Sequence, residues 1–295
     1  MPGSSPTVSI GLPVYNGEAF VAAAIDSLLA QDHADLELVI SDNASTDRTP
    51  MICEDYARRD PRVRFSRNDT NIGPNRNFLR VLELSSGEHF MWASHDDVWA
   101  PDYVKLLLAG FAAGDSVALS AGRTVYMTEE GEPSTVPSAS APPEHVESAP
   151  EVTRLLLQQH ATSWFYGLFR RTVAIELMEL LRDVPVWGGD LMILLRLCLR
   201  YPVVGDDRAI IHKRLRTHTS HQPKTPREWV RWQRTFAAGM LREVASARLP
   251  LPEATAVLGH LVPFLRKILF RKGAKGTALM WLRAAYQLGQ GRDHA

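Results

Sequence analysis

A chain of 295 residues, 45% of them apolar, carries enough material for one large α/β domain, or one domain with an appendage. Lys plus Arg and Asp plus Glu balance at 33 each, which excludes the broad basic field that nucleic-acid binding requires. Two distant cysteines, Cys53 and Cys198, make no disulfide framework and fit a reducing cytoplasm. The first residues lack the basic-then-apolar pattern of a signal peptide, and no apolar run approaches the roughly 20 residues that span a bilayer.

The elements alternate from the start. Residues 8–13 form a short apolar run closed by Pro13, a first strand, and the Asn16-Gly17 pair after it supplies a turn. Apolar residues at helical spacing follow between 18 and 31. Residues 36–40 read as a second strand, which empties into the polar, cap-rich cluster 41–47 and then a helix through Met51 and Tyr56. A third strand over 63–66, a turn at Asn71-x-Gly73 and a helix over 75–84 come next. Residues 89–95 are a buried strand that stops at two adjacent carboxylates, Asp96 and Asp97, before a helix over 103–112. Strand and helix alternating on short connections predict a mostly parallel sheet covered on both faces.

The pattern loosens beyond a strand over 117–126. Residues 129–150 are dense in Pro, Ser, Glu and Ala, the composition of a mobile loop or lid. Helices are expected over 151–159, 173–181 and 191–199, and a late strand over 209–212. A basic, His-rich loop follows, with Arg214, Arg216 and His218. Asp206 and Asp207 read as a surface turn. The tail is helical from residue 227, with Trp229, Trp232, Phe236 and Met240 on one face, and further amphipathic segments lie over 252–270 and 277–288.

Two carboxylates at the carboxyl end of a central strand sit where open α/β sheets place ligands. Their repulsion is relieved by a divalent cation, and Mg²⁺ or Mn²⁺ often shares oxygen ligands with substrate phosphates. The plainer reading is a solvated Asp-Asp turn.

The order Pro13-Val14-Tyr15-Asn16, Asp42 after a strand, Asn71-x-Gly73, Asp96-Asp97 and Gly189-Asp190 resembles the family 2 inverting glycosyltransferases. The resemblance covers about residues 6–221. It implies an α/β fold of the GT-A type, Rossmann-like, with a donor-binding half over about 1–126 and an acceptor half over 127–225. Residues 226–295 would then be a helical C-terminal extension. Tyr15 matches the aromatic that stacks on the base, beside Pro13 and Asn16, and stacking is worth on the order of 1–3 kcal/mol. Asp42 matches the carboxylate that reads the uracil imide; its plainer role is a helix cap. Asn71 and Arg76 fall in the segment that approaches the donor. The resemblance implies that Asp96 would face the ribose or donor sugar and that Asp97 would ligate the metal, although Ser94 stands where many relatives have a further acid. Asp190 is the implied general base, with helix capping as its plainer role and Trp187 as a sugar-stacking aromatic ahead of it. Gly189 replaces an acid common in relatives. His218 matches a late metal or diphosphate ligand, and Arg214 or Arg216 would help hold the diphosphate.

The implied activity is metal-dependent, inverting transfer from a nucleoside-diphosphate sugar, most simply UDP-linked, to a carbohydrate, lipid-linked or small-molecule hydroxyl, with residues 129–150 and the His218 loop closing over the donor. A sugar-nucleotide-binding scaffold without transferase activity is the alternative that Ser94 and Gly189 favour. Nucleotidyl transfer is disfavoured, because the turn after the first strand holds no Lys or Arg. Arg266, Lys267, Arg271, Lys272 and Lys275 beside Leu261, Phe264, Leu265 and Phe270 suggest a helix lying on the inner membrane face. A solvated cap or a homodimer contact is the plainer reading of the same residues.

Overall fold

The computed structural model describes residues 6–159, 161–183, 188–216, 223 and 225–269. Four parallel strands make the first half of the sheet: β1 (Val8–Val14), β2 (Leu36–Asp42), β3 (Val63–Arg67) and β4 (His89–Trp92). Their order, β3-β2-β1-β4, reverses direction between β1 and β4. That crevice is where doubly wound sheets bind nucleotides. Every residue of β1, β2 and β4 is buried. That is why these runs are mostly apolar rather than alternating, and a buried polar pair within them, Ser9 and Glu37, is joined by a hydrogen bond of 2.6 Å. Helices α1 (Val21–Leu29), α2 (Thr49–Arg59) and α3 (Pro74–Glu83) make the crossovers.

The second half departs from the parallel expectation. β5 (Val98–Trp99), β6 (Leu119–Met127), β7 (Leu168–Arg170) and β8 (Val203–Arg214) continue the sheet in the order β4-β7-β6-β8-β5. β7 runs antiparallel to both β4 and β6, and β5 antiparallel to β8. The late strand is far longer than the apolar run 209–212 suggests. It begins at Val203 and carries Asp206 and Asp207 inside it, at a register shift against Gly122 and Arg123. The expected surface turn is therefore a bulge, and Arg208 pairs with Asp206 there. A bulge hides a strand from a period-2 reading because the alternation breaks at the extra residue.

Residues 129–150 are not a free lid. Ala139 bridges Thr124 and Pro133 bridges Met127. The Gly205 N–H donates to Pro143 O at 2.9 Å, and the Ala141 N–H to Asp207 Oδ1 at 2.8 Å. A β-carbon at Gly205 would lie 2.4 Å from Pro142 O, so glycine permits the close crossing. The segment is a strap pinned along β6 and β8, and its own Val136, Ala139 and Ala141 are buried.

Helix α4 (Tyr103–Gly110) packs behind β8, and α5 (Ala149–Gln159), α6 (Arg171–Asp183) and α7 (Gly189–Arg200) cover the other face. Nine of the twelve α7 residues are buried, so it is a core helix rather than an amphipathic one. α8 (Pro226–Ser246) opens on a capping box, Thr225 with Glu228, and packs on α7. α9 (Leu251–Leu269) packs on α5 and α8. Trp229, Trp232, Phe236 and Met240 share the buried face that their spacing predicts, in the same apolar cluster as Trp92 and Phe165. Among the described residues no helix is long and apolar enough to cross a membrane.

Candidate active site

Register builds the first wall of the site. Val14 pairs with Asp42 across β1 and β2, and the Asn43 N–H donates to Val14 O at 2.8 Å, so the two strands end together. Tyr15 follows β1 directly, after Pro13 within it, and is 44% exposed. An exposed tyrosine at a sheet crevice has a free face for a base. Asn16 takes a positive φ of 50°. Its Oδ1 accepts from the Thr46 N–H at 2.9 Å and its own N–H donates to Ser45 Oγ at 2.8 Å, tying the β1 turn to the β2 turn.

Asp42 is fully buried. Arg67 Nε lies 3.1 Å from its carboxylate, and the Ser45 N–H donates to it at 3.2 Å. It therefore closes a turn and does not cap α2, where Asp47 accepts from the Thr49 N–H instead. Asn71 is likewise a tie: its Oδ1 accepts from Asn43 Nδ2 and from the Gly73 N–H, each at 2.9 Å. Gly73, at φ 84°, lets the chain turn into α3. Arg76 is exposed on the first turn of α3 and lines a groove of about 600 Å³ with Asn68, Ile72 and Asn75, away from the acid pair.

β4 delivers the acids. The Ala93 N–H donates to Gly11 O at 2.8 Å, which carries the pairing one residue past the strand and releases Asp96 and Asp97 into the crevice. Ser94, in the place of a further acid, donates its hydroxyl to Asp96. Arg216 Nη1 lies 3.5 Å from the same carboxylate. Burial opposes ionisation of Asp96, but the Ser94 hydroxyl, Arg216 and Lys213 help outweigh it and hold the acid below the usual carboxylate range. Between Ser94 and Asp96, His95 has its pKa pushed down by burial and packs against Gly17, where a β-carbon would lie 2.7 Å from the ring.

Asp97 is 1% exposed. One oxygen, Oδ1, accepts from the Arg214 N–H at 2.8 Å, while Oδ2 is buried with no partner among the described residues. Burial, and then the neighbouring Asp96, push its carboxyl up to about 7. A buried carboxylate oxygen with an open lone pair is costly, and a divalent cation is the ligand that would satisfy it. The donor set fits such an ion in the Mg²⁺ or Mn²⁺ manner, a carboxylate or two with the remaining positions left to phosphate and water. No cluster of three or more protein ligands exists among the described residues. His218 and Trp187 lie outside the described residues.

The two arginines of the late loop separate. Arg214 is spent on the backbone: Nε donates to Asp96 O at 3.0 Å and Nη1 to Glu129 O at 2.6 Å. It clamps the acid turn to β8 and to the start of the strap. Arg216, stacked 5.4 Å from the Phe20 ring centre, is the one whose guanidinium faces the acids.

Asp190 sits in the first turn of α7, not at its cap. Gly188 caps the helix at φ 81°, and Asp190 Oδ1 accepts from the Leu191 N–H at 2.8 Å. Burial raises its pKa, and the Lys213 charge acts the other way. A carboxylate raised toward neutrality is suited to proton abstraction. A β-carbon at Gly188 would lie 3.0 Å from Phe236, so α8 fixes the chain just ahead of the acid.

Two side chains in this cleft had no sequence signal. Tyr166 ends the 3-10 turn Thr162–Tyr166, and its carbonyl accepts from the Tyr103 hydroxyl at 3.2 Å. Lys213 lies beyond the apolar run that marked the late strand, and its Nζ sits 4.7 Å above the Tyr166 ring centre. Burial works against its cation, but Tyr166, then Asp97, Tyr126 and Asp190, raise its pKa.

A parallel half-sheet with a nucleotide crevice, continued by a mixed half that brings a helix-borne acid to the same cleft, defines the GT-A class of α/β fold. The profile of Glycosyl transferase family 2 matches residues 9–177, and the chain belongs to that family. Among curated relatives, the putative colanic acid biosynthesis glycosyl transferase WcaA of Escherichia coli is 31% identical over 106 residues, 36% of this chain and 38% of that one. The uncharacterised glycosyltransferase EpsJ of Bacillus subtilis is 27% identical over 174 residues, 59% of this chain and 49% of that one. The matched segments thus span less than half of each relative. Staphylococcus aureus TarS 1-349, solved with UDP-GlcNAc, superposes with a TM-score of 0.71 at 16% identity over 96% of this chain and 80% of that one. The mannosyltransferase PcManGT of Pyrobaculum calidifontis, solved with GDP-Man and Mn²⁺, gives 0.57 at 17% identity over 97% and 82%. At that identity the two structures establish the fold.

Proposed function

We propose that the protein transfers a sugar, with inversion, from a nucleoside-diphosphate donor to an acceptor hydroxyl, with Mn²⁺ or Mg²⁺ at Asp97. The observation that carries this reading is the orphaned Oδ2 of Asp97 in a cleft that also holds the raised carboxylate of Asp190. Tyr15 would take the base on its exposed face. Asp42, already polarised by Arg67, would accept from the imide of uracil, which favours a UDP-linked donor. Arg216 would leave Asp96 for the diphosphate, since phosphate offers the guanidinium a bidentate partner. Asp97 would hold the cation, which supplies Lewis-acid stabilisation of the leaving diphosphate.

Asp190 then takes the proton of the acceptor hydroxyl. The acceptor oxygen forms its bond to the anomeric carbon from the face opposite the diphosphate. The old carbon–oxygen bond breaks, and its electron pair leaves with the diphosphate. The sugar nucleotides named in the solved TarS and PcManGT complexes support a donor of this class.

Leu261, Phe264 and Leu265 pack into the core and are not free to enter a bilayer, so the membrane contact proposed for the C-terminal helices reduces to the exposed cations Arg266 and Lys267 near the end of α9. The remaining cations of that cluster lie outside the described residues. Loss of sedimentation with anionic vesicles in Arg266→Glu/Lys267→Glu would support this role, and no vesicle binding by the full chain would remove it.

The test of the function is calorimetric titration of UDP, dTDP and GDP with and without Mn²⁺, followed by acceptor screening with the matching sugars. Metal-dependent preference for UDP is expected. Absence of binding by folded protein would overturn the reading, and binding without sugar consumption against any acceptor would favour the scaffold alternative.

A further inference from the structure

Lys213 is the unassigned charged group of this cleft. It leaves β8 next to Arg214, whose N–H holds Asp97. Its ammonium rests on the Tyr166 ring, 4.7 Å from the ring centre, and Tyr126 is its strand neighbour. Asp97 and Asp190 both act on it, yet it closes no ion pair with either among the described residues. An ammonium carries three N–H donors. Among the described residues no oxygen acceptor closes on them, and the Tyr166 ring is the contact that carries the ammonium.

The chemistry of the proposed reaction says what occupies that space. In an inverting displacement the transferred sugar lies between the leaving diphosphate, expected on the Asp97 side, and the attacking hydroxyl, expected on the Asp190 side. A cation within reach of both acids, but bonded to neither, faces the sugar itself. We propose that Lys213 is a sugar-binding residue of this site, its ammonium donating to a hydroxyl of the transferred sugar from the platform of the Tyr166 ring. This assignment rests on the glycosyl-transfer reading. It adds a specificity element on the donor's sugar, whereas Tyr15 and Asp42 belong to the nucleotide.

A charge-assisted hydrogen bond in a water-poor cleft corresponds to about 10- to 100-fold in affinity. Plain nucleotide lacks the group that Lys213 holds, so the ratio of two dissociation constants isolates it. The experiment titrates UDP and whichever of UDP-glucose and UDP-GlcNAc the wild type binds more tightly, both with Mn²⁺, into wild type, Lys213→Met and Lys213→Gln. Lys213→Met is expected to weaken the sugar nucleotide about 10- to 100-fold while UDP changes less than about twofold. Lys213→Gln, which keeps a neutral donor, should fall between. An unchanged ratio, or parallel losses for UDP and the sugar nucleotide, overturns the assignment and leaves the glycosyl-transfer reading standing. Failure of the wild type to bind any of the three ligands takes down that reading first. Should Lys213→Met fail to fold, Lys213→Gln decides, because it keeps a polar N–H donor on a side chain one atom shorter; a ratio within twofold of wild type then counts against the proposal.

Discussion

The two acidic ends of the cleft are built by different means. Asp96 and Asp97 hang from the end of a buried parallel strand, and hydrogen bonds aim them: Ser94 to Asp96, the Arg214 backbone to Asp97, and the Arg214 side chain around the turn. Asp190 rides the first turn of a helix whose position is set by packing. Phe236 of α8 closes on Gly188, and Met192 of α7 meets Gly239, where a β-carbon would lie 2.3 Å from the methionine methyl. Buried Glu243 of α8 adds Arg196 at 2.7 Å and Arg200 at 3.2 Å, both from α7. The nucleotide side is thus held by directed hydrogen bonds, those from Arg214 reaching across from β8, and the acceptor side by the packing of helices more than forty residues downstream. Damage at one end should therefore read out differently from damage at the other.

The largest effect is expected at the metal end. Asp97→Ala should abolish the Mn²⁺ dependence of UDP binding, a loss of at least about 100-fold in metal affinity, with little change in melting temperature. Calorimetry with and without Mn²⁺ checks it; retention of the Mn²⁺ effect would erase the distinction between the two ends. Next, Phe236→Ala should cost about 3–4 kcal/mol of stability by opening a cavity under α7. In the folded fraction, turnover should fall more than UDP affinity, because the cavity adjoins Gly188. Equal losses in both would mean that α8 supports the whole fold rather than the acceptor side.

Arg67→Ala probes the nucleotide wall. It strips the fully buried Asp42 of its cation and should cost about 2–3 kcal/mol, less than a fully buried pair because Arg67 is half exposed. Denaturant melts measure this, and UDP binding should weaken with it while metal binding does not. Gly188→Ala is the gentlest change. The left-handed φ of 81° penalises alanine by about 1–2 kcal/mol, and the new methyl would press on Phe236. Turnover should drop while UDP affinity stays level.

The same contrast explains what the sequence made legible. Strand ends announce themselves: a continuous apolar run, then Asn-Gly, Asp42 or Asp96-Asp97, places ligand-facing residues without any knowledge of long-range contacts. The parallel half, its crossover helices and the buried face of α8 were readable for that reason. Packing and bulges leave fainter marks. β8 shows in the sequence only over 209–212 because its bulge interrupts the alternation at Asp206 and Asp207. The strap over residues 129–150 has the composition of a loose loop, and what pins it is backbone pairing to β6 and β8, which composition does not encode. Arg214 has the position of a diphosphate ligand in the sequence, but its guanidinium donates to the Asp96 and Glu129 carbonyls, contacts that only the fold creates. Lys213 and Tyr166, 47 residues apart in number, meet only through the fold.

The most direct test of the division of labour is to measure UDP binding and sugar transfer side by side in Asp190→Asn. The structure assigns this residue no part in the nucleotide wall, and its amide replacement keeps the Leu191 N–H partner. Mn²⁺-dependent UDP affinity within about twofold of wild type is predicted, with turnover reduced by about 10²–10⁴-fold, the range for loss of a general base. Intact turnover in the folded variant, or loss of UDP binding in step with activity, would contradict the account.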